Sequence, residues 1–216
     1  MIFEMKVQAL NNPPIVGHLH EPDGEAIAGL VLTHGAGANC GSALLVNLAA
    51  SLVHLGWAVL RFDLPFRQKR RFGPPSPAQA AADQDGLRAA RRDVESRLGR
   101  RVFLGGHSYG GRQASMVAAE QGSDVPGLLL LSYPLHPPAK PDQLRTGHFK
   151  DIHAPCLFVH GTSDPFGSPD EVKESIALIP GKSQLVLLDG LGHDLGKGNA
   201  KVVVRIAEEF ARFVAP

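Results

Sequence analysis

The 216-residue chain predicts a three-layer α/β fold built on a mostly parallel sheet, and three observations carry that prediction. Short apolar runs recur along the chain, segments of helical period separate them, and the runs are continuous rather than alternating. A continuous apolar run marks a strand covered on both faces, the environment inside a parallel sheet. Parallel neighbours also need long crossover connections, which the helical segments supply.

Taken in order, Phe3–Leu10 and Ile15–Glu21 read as two short strands joined by the turn Asn11-Asn12-Pro13-Pro14. The apolar runs then follow as Gly29–His34, Ala58–Asp63, Val102–His107, Gly127–Pro134, Cys156–Gly161 and Leu185–Gly190. Between them, Leu87, Ala90, Val94 and Leu98 form one helical stripe, and Gly99 stands where a left-handed residue would end the helix. Val203, Ile206, Phe210 and Phe213 form a second stripe near the C-terminus. The Pro-rich stretch Arg67–Pro77 reads as a surface loop, because strands continue after it. With no repeat and no low-complexity tract, residues 1–216 are expected to form a single domain.

Composition narrows the function classes. A formal net charge of +1 gives no reason to expect nucleic acid or an acidic membrane surface as partner. The opening MIFEMKVQALNNPP lacks the apolar core of a signal peptide, and no later segment reads as a bilayer span. Two cysteines, Cys40 and Cys156, make no disulfide framework, so a cytoplasmic setting is expected with both as small core residues. His18-x-His20 lies on one strand face without further ligand spacing, so no metal is expected.

The chemistry concentrates in FLGGHSYGGRQAS, Phe103–Ser115. A phosphate-binding loop needs Lys then Ser or Thr after its last glycine, where this chain has Gly111-Arg112-Gln113. Gly106-His107-Ser108-Tyr109-Gly110, between an apolar strand and a helix, instead fits a nucleophile elbow. Such a turn strains the serine backbone and brings neighbouring main chain so close that positions 106 and 110 must lack a Cβ. A serine hydroxyl needs a base, and the base an orienting carboxylate. Asp164 follows the strand Cys156–Gly161 and His193 follows Leu185–Gly190, giving the order Ser, acid, His on successive strand ends. Asp189 and Asp194 are alternative acids, too near His193 in sequence to orient it well.

An acyl-transfer site also needs donors for an oxyanion. The backbone N–H of Tyr109 is one, and that of Ala36, in THGAGANCG after an early strand, is the other, with Gly37 as second choice and His34 as a brace for the loop. Gly35-x-Gly37 also begins like a dinucleotide fingerprint, with Asp63 ending the next strand. Cys40 stands where the third glycine belongs, and that reading leaves Ser108, Asp164 and His193 unexplained.

With these motifs in place, GLVLTHGAGA, GGHSYGG, HGTSDP and GLGHD resemble the α/β-hydrolase superfamily over nearly the whole chain. The resemblance implies an eight-stranded, mostly parallel sheet with an antiparallel N-terminal strand. Its compactness is similar to the dienelactone-hydrolase-like enzymes, which carry cysteine where this chain has Ser108, so their lactone chemistry does not carry over. LSYPLHPP and FKDIHAPCLFVHGTSDPF look like a smaller branch that includes testis-expressed hydrolase-like proteins and a subunit of the non-specific-lethal chromatin complex.

Only Leu135–Pro155 separates two strands where many such proteins insert a cap, so no cap domain and an open site are expected. Phe66 and Phe72 would wall that mouth, Arg67, Lys69, Arg70 and Arg71 would attract an anionic group, and His136 would sit at its edge. The expected function is a carboxylesterase-like serine hydrolase acting on a small-molecule acyl substrate without a cofactor, and no feature sets an oligomeric state. The alternative is a hydrolase fold kept as a non-catalytic interaction module.

Overall fold

The β-branched and leucine-rich runs become the strands of one sheet in the computed structural model, which describes residues 6–12 and 14–215. The strands are β1 (Lys6–Asn12), β2 (Ile15–Glu21), β3 (Ala28–Thr33), β4 (Trp57–Phe62), β5 (Val102–His107), β6 (Leu128–Leu131), β7 (Cys156–Gly161) and β8 (Ser183–Leu188). The helices are α1 (Ala43–His54), α2 (Pro65–Lys69), α3 (Ala80–Leu98), α4 (Tyr109–Ala118), α5 (Pro169–Ile176) and α6 (Ala200–Phe213).

The eight strands lie in the order β1-β2-β4-β3-β5-β6-β7-β8. β3 to β8 are mutually parallel, whereas β2 is antiparallel to both β1 and β4. A single reversed strand near the N-terminus therefore accompanies a parallel sheet. Alternation sends Leu128 and Leu130 into the core under α3, α4 and α5, and Leu129 and Leu131 into the core under α1 and α6. Both faces are apolar, which is why the strands read as continuous runs.

Boundaries moved where backbone geometry outweighed hydropathy. The expected first strand began at Phe3, which lies outside the described residues, and β1 continues to Asn12. Asn12 pairs with Ile15, so strand pairing extends into the expected four-residue turn. β6 stops at Leu131 because Ser132 adopts φ 45°. The stripe helix ends as its sequence implies, with Gly99 left-handed at φ 59°. α5 starts with a reciprocal cap between Ser168 and Glu171, and Pro169 fills its first position.

Two expectations about segments need comment. Residues 135–155 form no cap: Leu135, Phe149 and Ile152 are buried and join the core. The stretch Arg67–Pro77 is not wholly a surface loop, since α2 runs to Lys69 and Arg67 is buried. Among the described residues no helix is long and apolar enough to cross a membrane. Cys40 and Cys156 are both free and buried.

Candidate active site

The elbow forms at the junction of β5 and α4, above the C-terminal ends of the strands. Ser108 takes φ 52° and ψ −116°, a conformation that costs a non-glycine residue roughly 1–3 kcal/mol. Close main-chain approach holds it there. A Cβ on Gly106 would lie 2.6 Å from the backbone of Gly110 and Gly111, and one on Gly110 would collide with the Thr33 side chain and the His34 carbonyl. Gly111 is equally constrained, facing the Gly106 carbonyl. Despite the missing cap, Ser108 is only 9% exposed.

Three separate loops deliver one hydrogen-bonded line. His193 Nε2 lies 2.8 Å from Ser108 Oγ, and His193 Nδ1 lies 2.8 and 3.0 Å from the Asp164 carboxylate oxygens. A carboxylate only accepts, so Nδ1 carries the proton and Nε2 faces the serine hydroxyl as acceptor. The Asp164 side chain is fully buried. Burial alone would raise its carboxyl, but the hydrogen bonds from His193 and from Phe166 N–H outweigh it and hold it below the usual carboxylate range.

The side chains around this line are the ones that sequence reasoning missed. Phe166 lies against the His193 ring, with centroids 4.2 Å apart at 33°. His107 donates Nε2–H to the His193 carbonyl at 2.7 Å. His160, buried behind Asp164, donates Nε2–H to the Gly167 carbonyl at 2.7 Å and so closes the loop that carries the acid. Asp83, fully buried on α3, accepts from Tyr109 Oη at 2.8 Å and from Phe66 N–H at 2.9 Å. Asp83 stands four residues before Leu87, so an acid on an apolar stripe was the available signal.

The loop after β3 lies against the elbow, since a Cβ on Gly35 would come within 3.4 Å of Ser108 Cβ. Ala38 N–H closes a turn on the Gly35 carbonyl at 3.0 Å, and among the described residues no main-chain carbonyl accepts from the N–H groups of Ala36 and Gly37 inside that turn. The N–H of Tyr109 heads α4, where first-turn donors have no intrahelical acceptor. His34 is buried and does brace the loop: Nδ1–H bonds the Gly35 carbonyl at 2.8 Å, and Nε2 accepts from Leu64 N–H. Asp63 accepts from Cys40 N–H at 2.7 Å, and Arg61 donates to the Cys40 carbonyl. Burial and the neighbouring Asp63 push the Cys40 thiol up to about 12, so it stays protonated.

The expected substrate contacts fare differently. Phe66 is 1% exposed and belongs to the core, edge-on to Tyr109 at 5.6 Å, so it is not a wall of the mouth. One helical turn after Pro65 swings its ring inward. His136 is also buried; its N–H bonds the Phe166 carbonyl, and its Nδ1–H bonds the Pro137 carbonyl. It supports Phe166 from behind rather than edging the mouth. The two Nη groups of Arg67 donate to main-chain carbonyls, and its guanidinium lies 4.9 Å from the Phe66 ring centroid. Arg70 is exposed, with its guanidinium turned onto the Pro74 carbonyl of its own loop. Phe72 is 74% exposed. Of the two strand histidines, His20 accepts from Arg61 Nε at 2.8 Å.

Comparison with known proteins agrees with this architecture. A family profile described as an alpha/beta hydrolase domain matches residues 26–214. An alpha-beta serine hydrolase homologue from Coxiella burnetii is 21% identical, with 100% of this chain and 99% of that one covered at a TM-score of 0.71. A dienelactone hydrolase from Anabaena variabilis is 18% identical over 99% and 97% of the two chains, with a TM-score of 0.75. Est1E from Butyrivibrio proteoclasticus, solved with ferulic acid bound, is 16% identical over 97% and 100%, with a TM-score of 0.76. At these identities the solved structures share the fold, and the profile spans most of the sequence: the chain belongs to the α/β-hydrolase family.

Proposed function

We propose that the protein is a serine hydrolase that cleaves a carboxylic ester through an acyl-enzyme. The observation that carries this reading is the line Ser108–His193–Asp164, with both links at 2.8 Å and the serine held on a strained elbow.

Ser108 Oγ attacks the ester carbonyl while His193 Nε2 takes its proton. The imidazolium that forms is stabilised by the Asp164 carboxylate at Nδ1. The N–H groups of Ala36 and Tyr109 receive the oxyanion, with Gly37 beside them. His193 then gives its proton to the departing alkoxide, and the alcohol leaves Ser108 acylated. Water repeats the sequence to release the acid. No cofactor enters this chemistry.

Phe166, tilted against the His193 ring, offers an apolar wall to the group being transferred. Est1E took ferulic acid in its crystal, and a flat acyl group of that kind would suit such a wall. Of Phe66, Arg70 and His136, Arg70 is the exposed one and stays in the proposal, as a contact for anionic acyl groups. Within the family, LSYPLHPP and the segment 149–166 favour the branch of testis-expressed hydrolase-like proteins and the chromatin-complex subunit.

The test is hydrolysis of p-nitrophenyl acetate by the wild type and by Ser108→Ala. Turnover that survives the substitution, or no turnover in either protein, overturns the reading.

A further inference from the structure

Arg67 read as a cation for substrate, yet its side chain faces the other way. It is buried, its Nη2 donates to the Ala36 carbonyl at 2.7 Å and to Gly73 at 3.1 Å, and its Nη1 donates to Arg71 at 2.7 Å and Arg70 at 3.2 Å. Among the described residues no carboxylate pairs with it. A guanidinium with four main-chain acceptors clamps backbone to backbone. Three of those acceptors lie in its own loop, and the fourth lies in the turn that carries the oxyanion donors.

The Ala36 carbonyl belongs to the peptide shared with Gly37, and in a trans peptide C=O and N–H point in opposite directions. That peptide is the centre of the turn closed by Ala38 N–H on the Gly35 carbonyl. Type I and type II turns differ by a half-rotation of this central peptide, and type II needs φ > 0 at the third position. Gly37 occupies the third position and keeps φ out of the positive region, so the turn is type I. Glycine there makes the rotated form accessible at little steric cost. Rotation would aim the Gly37 N–H at the Arg67 guanidinium, donor against donor. It would also put a carbonyl oxygen where that N–H now points.

The preceding peptide is fixed separately. Its carbonyl, on Gly35, takes bonds from His34 Nδ1–H and Ala38 N–H, which sets the direction of Ala36 N–H. The loop thus has two locks on two peptides, and only the second depends on Arg67.

We infer that Arg67 is a positioning residue that latches the Ala36–Gly37 peptide in its type I orientation and so keeps a carbonyl from facing the developing oxyanion. The inference rests on the serine-hydrolase reading for its catalytic consequence, and on the turn geometry for its conformational one.

The latch makes a double-mutant prediction. Arg67→Met removes the donors at similar length, and kcat for p-nitrophenyl acetate should fall about tenfold or more while KM stays within about twofold. Gly37→Ala disfavours φ > 0 and meets nothing within 4 Å, so adding it to Arg67→Met should restore most of kcat. In 15N-labelled protein the Gly37 amide should be one resonance in wild type, doubled or broadened in Arg67→Met, and single again in the double variant. Arg67→Lys, which keeps a cation and fewer donors, gives an intermediate loss and serves if Arg67→Met does not fold. Unchanged kcat, a loss confined to KM, or no rescue by Gly37→Ala overturns the inference. A wild type without Ser108-dependent turnover counts against the hydrolase reading instead, and the Gly37 resonance then decides the latch by itself.

Discussion

The ring of His107 donates its Nε2–H to the main-chain carbonyl of His193 at 2.7 Å, tying the Ser108 turn to the loop that carries the His193 imidazole. The two residues are 86 positions apart in sequence, so this bond sets tertiary distance rather than local shape. Replacing His107 by Ala leaves that carbonyl without its donor, at a cost of about 1–3 kcal/mol, and loosens the base against Ser108. Lower kcat with little change in KM is expected, together with an earlier urea midpoint. His107→Gln keeps an N–H of similar reach and should recover part of both.

The same ring gives stability a pH dependence. Burial lowers the His107 pKa from 6.5 to about 4, outweighing the upward pull of its bond to the His193 carbonyl. The unfolded chain therefore binds a proton between those values that the folded chain does not. Stability contributed by neutral His107 is full above 6.5 and declines as pH falls toward 4. His148, lowered to about 4 by burial and then by Arg112, acts in the same direction. Urea unfolding at intervals between pH 4 and 7 should show this decline, with a shallower slope in His107→Gln. An equal slope in the two proteins would contradict it.

Gly106→Ala tests the geometry of the elbow. Its Cβ would meet backbone atoms of Gly110 and Gly111 at 2.6 Å, and main chain cannot rotate away as a flexible side chain can. Loss of at least about 1–3 kcal/mol is expected, with activity falling further than stability because Ser108 shifts. A variant of wild-type stability and activity would show that the close approach is not required.

Asp83 supports the same elbow from α3. Burial raises its carboxyl pKa against the opposing bonds from Phe66 N–H and Tyr109 Oη. Asp83→Ala strands both donors, at about 1–3 kcal/mol each. Asp83→Asn keeps an acceptor for Phe66 N–H and offers Tyr109 a donor, so its midpoint should fall much less. Equal losses in the two variants would mean that volume, not hydrogen bonding, governs the site.

What the sequence made legible was whatever hydropathy and chain order express. Continuous apolar runs announced the parallel strands, and Ser108, Asp164 and His193 stood out because each follows a run. Side-chain direction in short irregular segments was not legible. Pro65 begins a helix of five residues, and that single turn sends Phe66 and Arg67 inward while Arg70 stays outside. Four cations among the five residues 67–71 read as a surface loop that attracts an anionic group, although Arg67 is a buried backbone clamp. Arg61, inside the run AVLRFD, was a similar hidden signal: a charge in a buried strand needs a partner, here His20 and the Cys40 carbonyl. His107, His160 and Phe166 act through groups far away in sequence, where no spacing rule reaches.

The central claim is that Ser108 is an activated nucleophile. Mass spectrometry of the protein after reaction with a fluorophosphonate probe measures that directly. The account predicts one adduct, on Ser108, formed at a rate that falls by about 10³ or more in His193→Ala. No adduct, an adduct on another serine, or labelling of Ser108 at the same rate without His193 would contradict it.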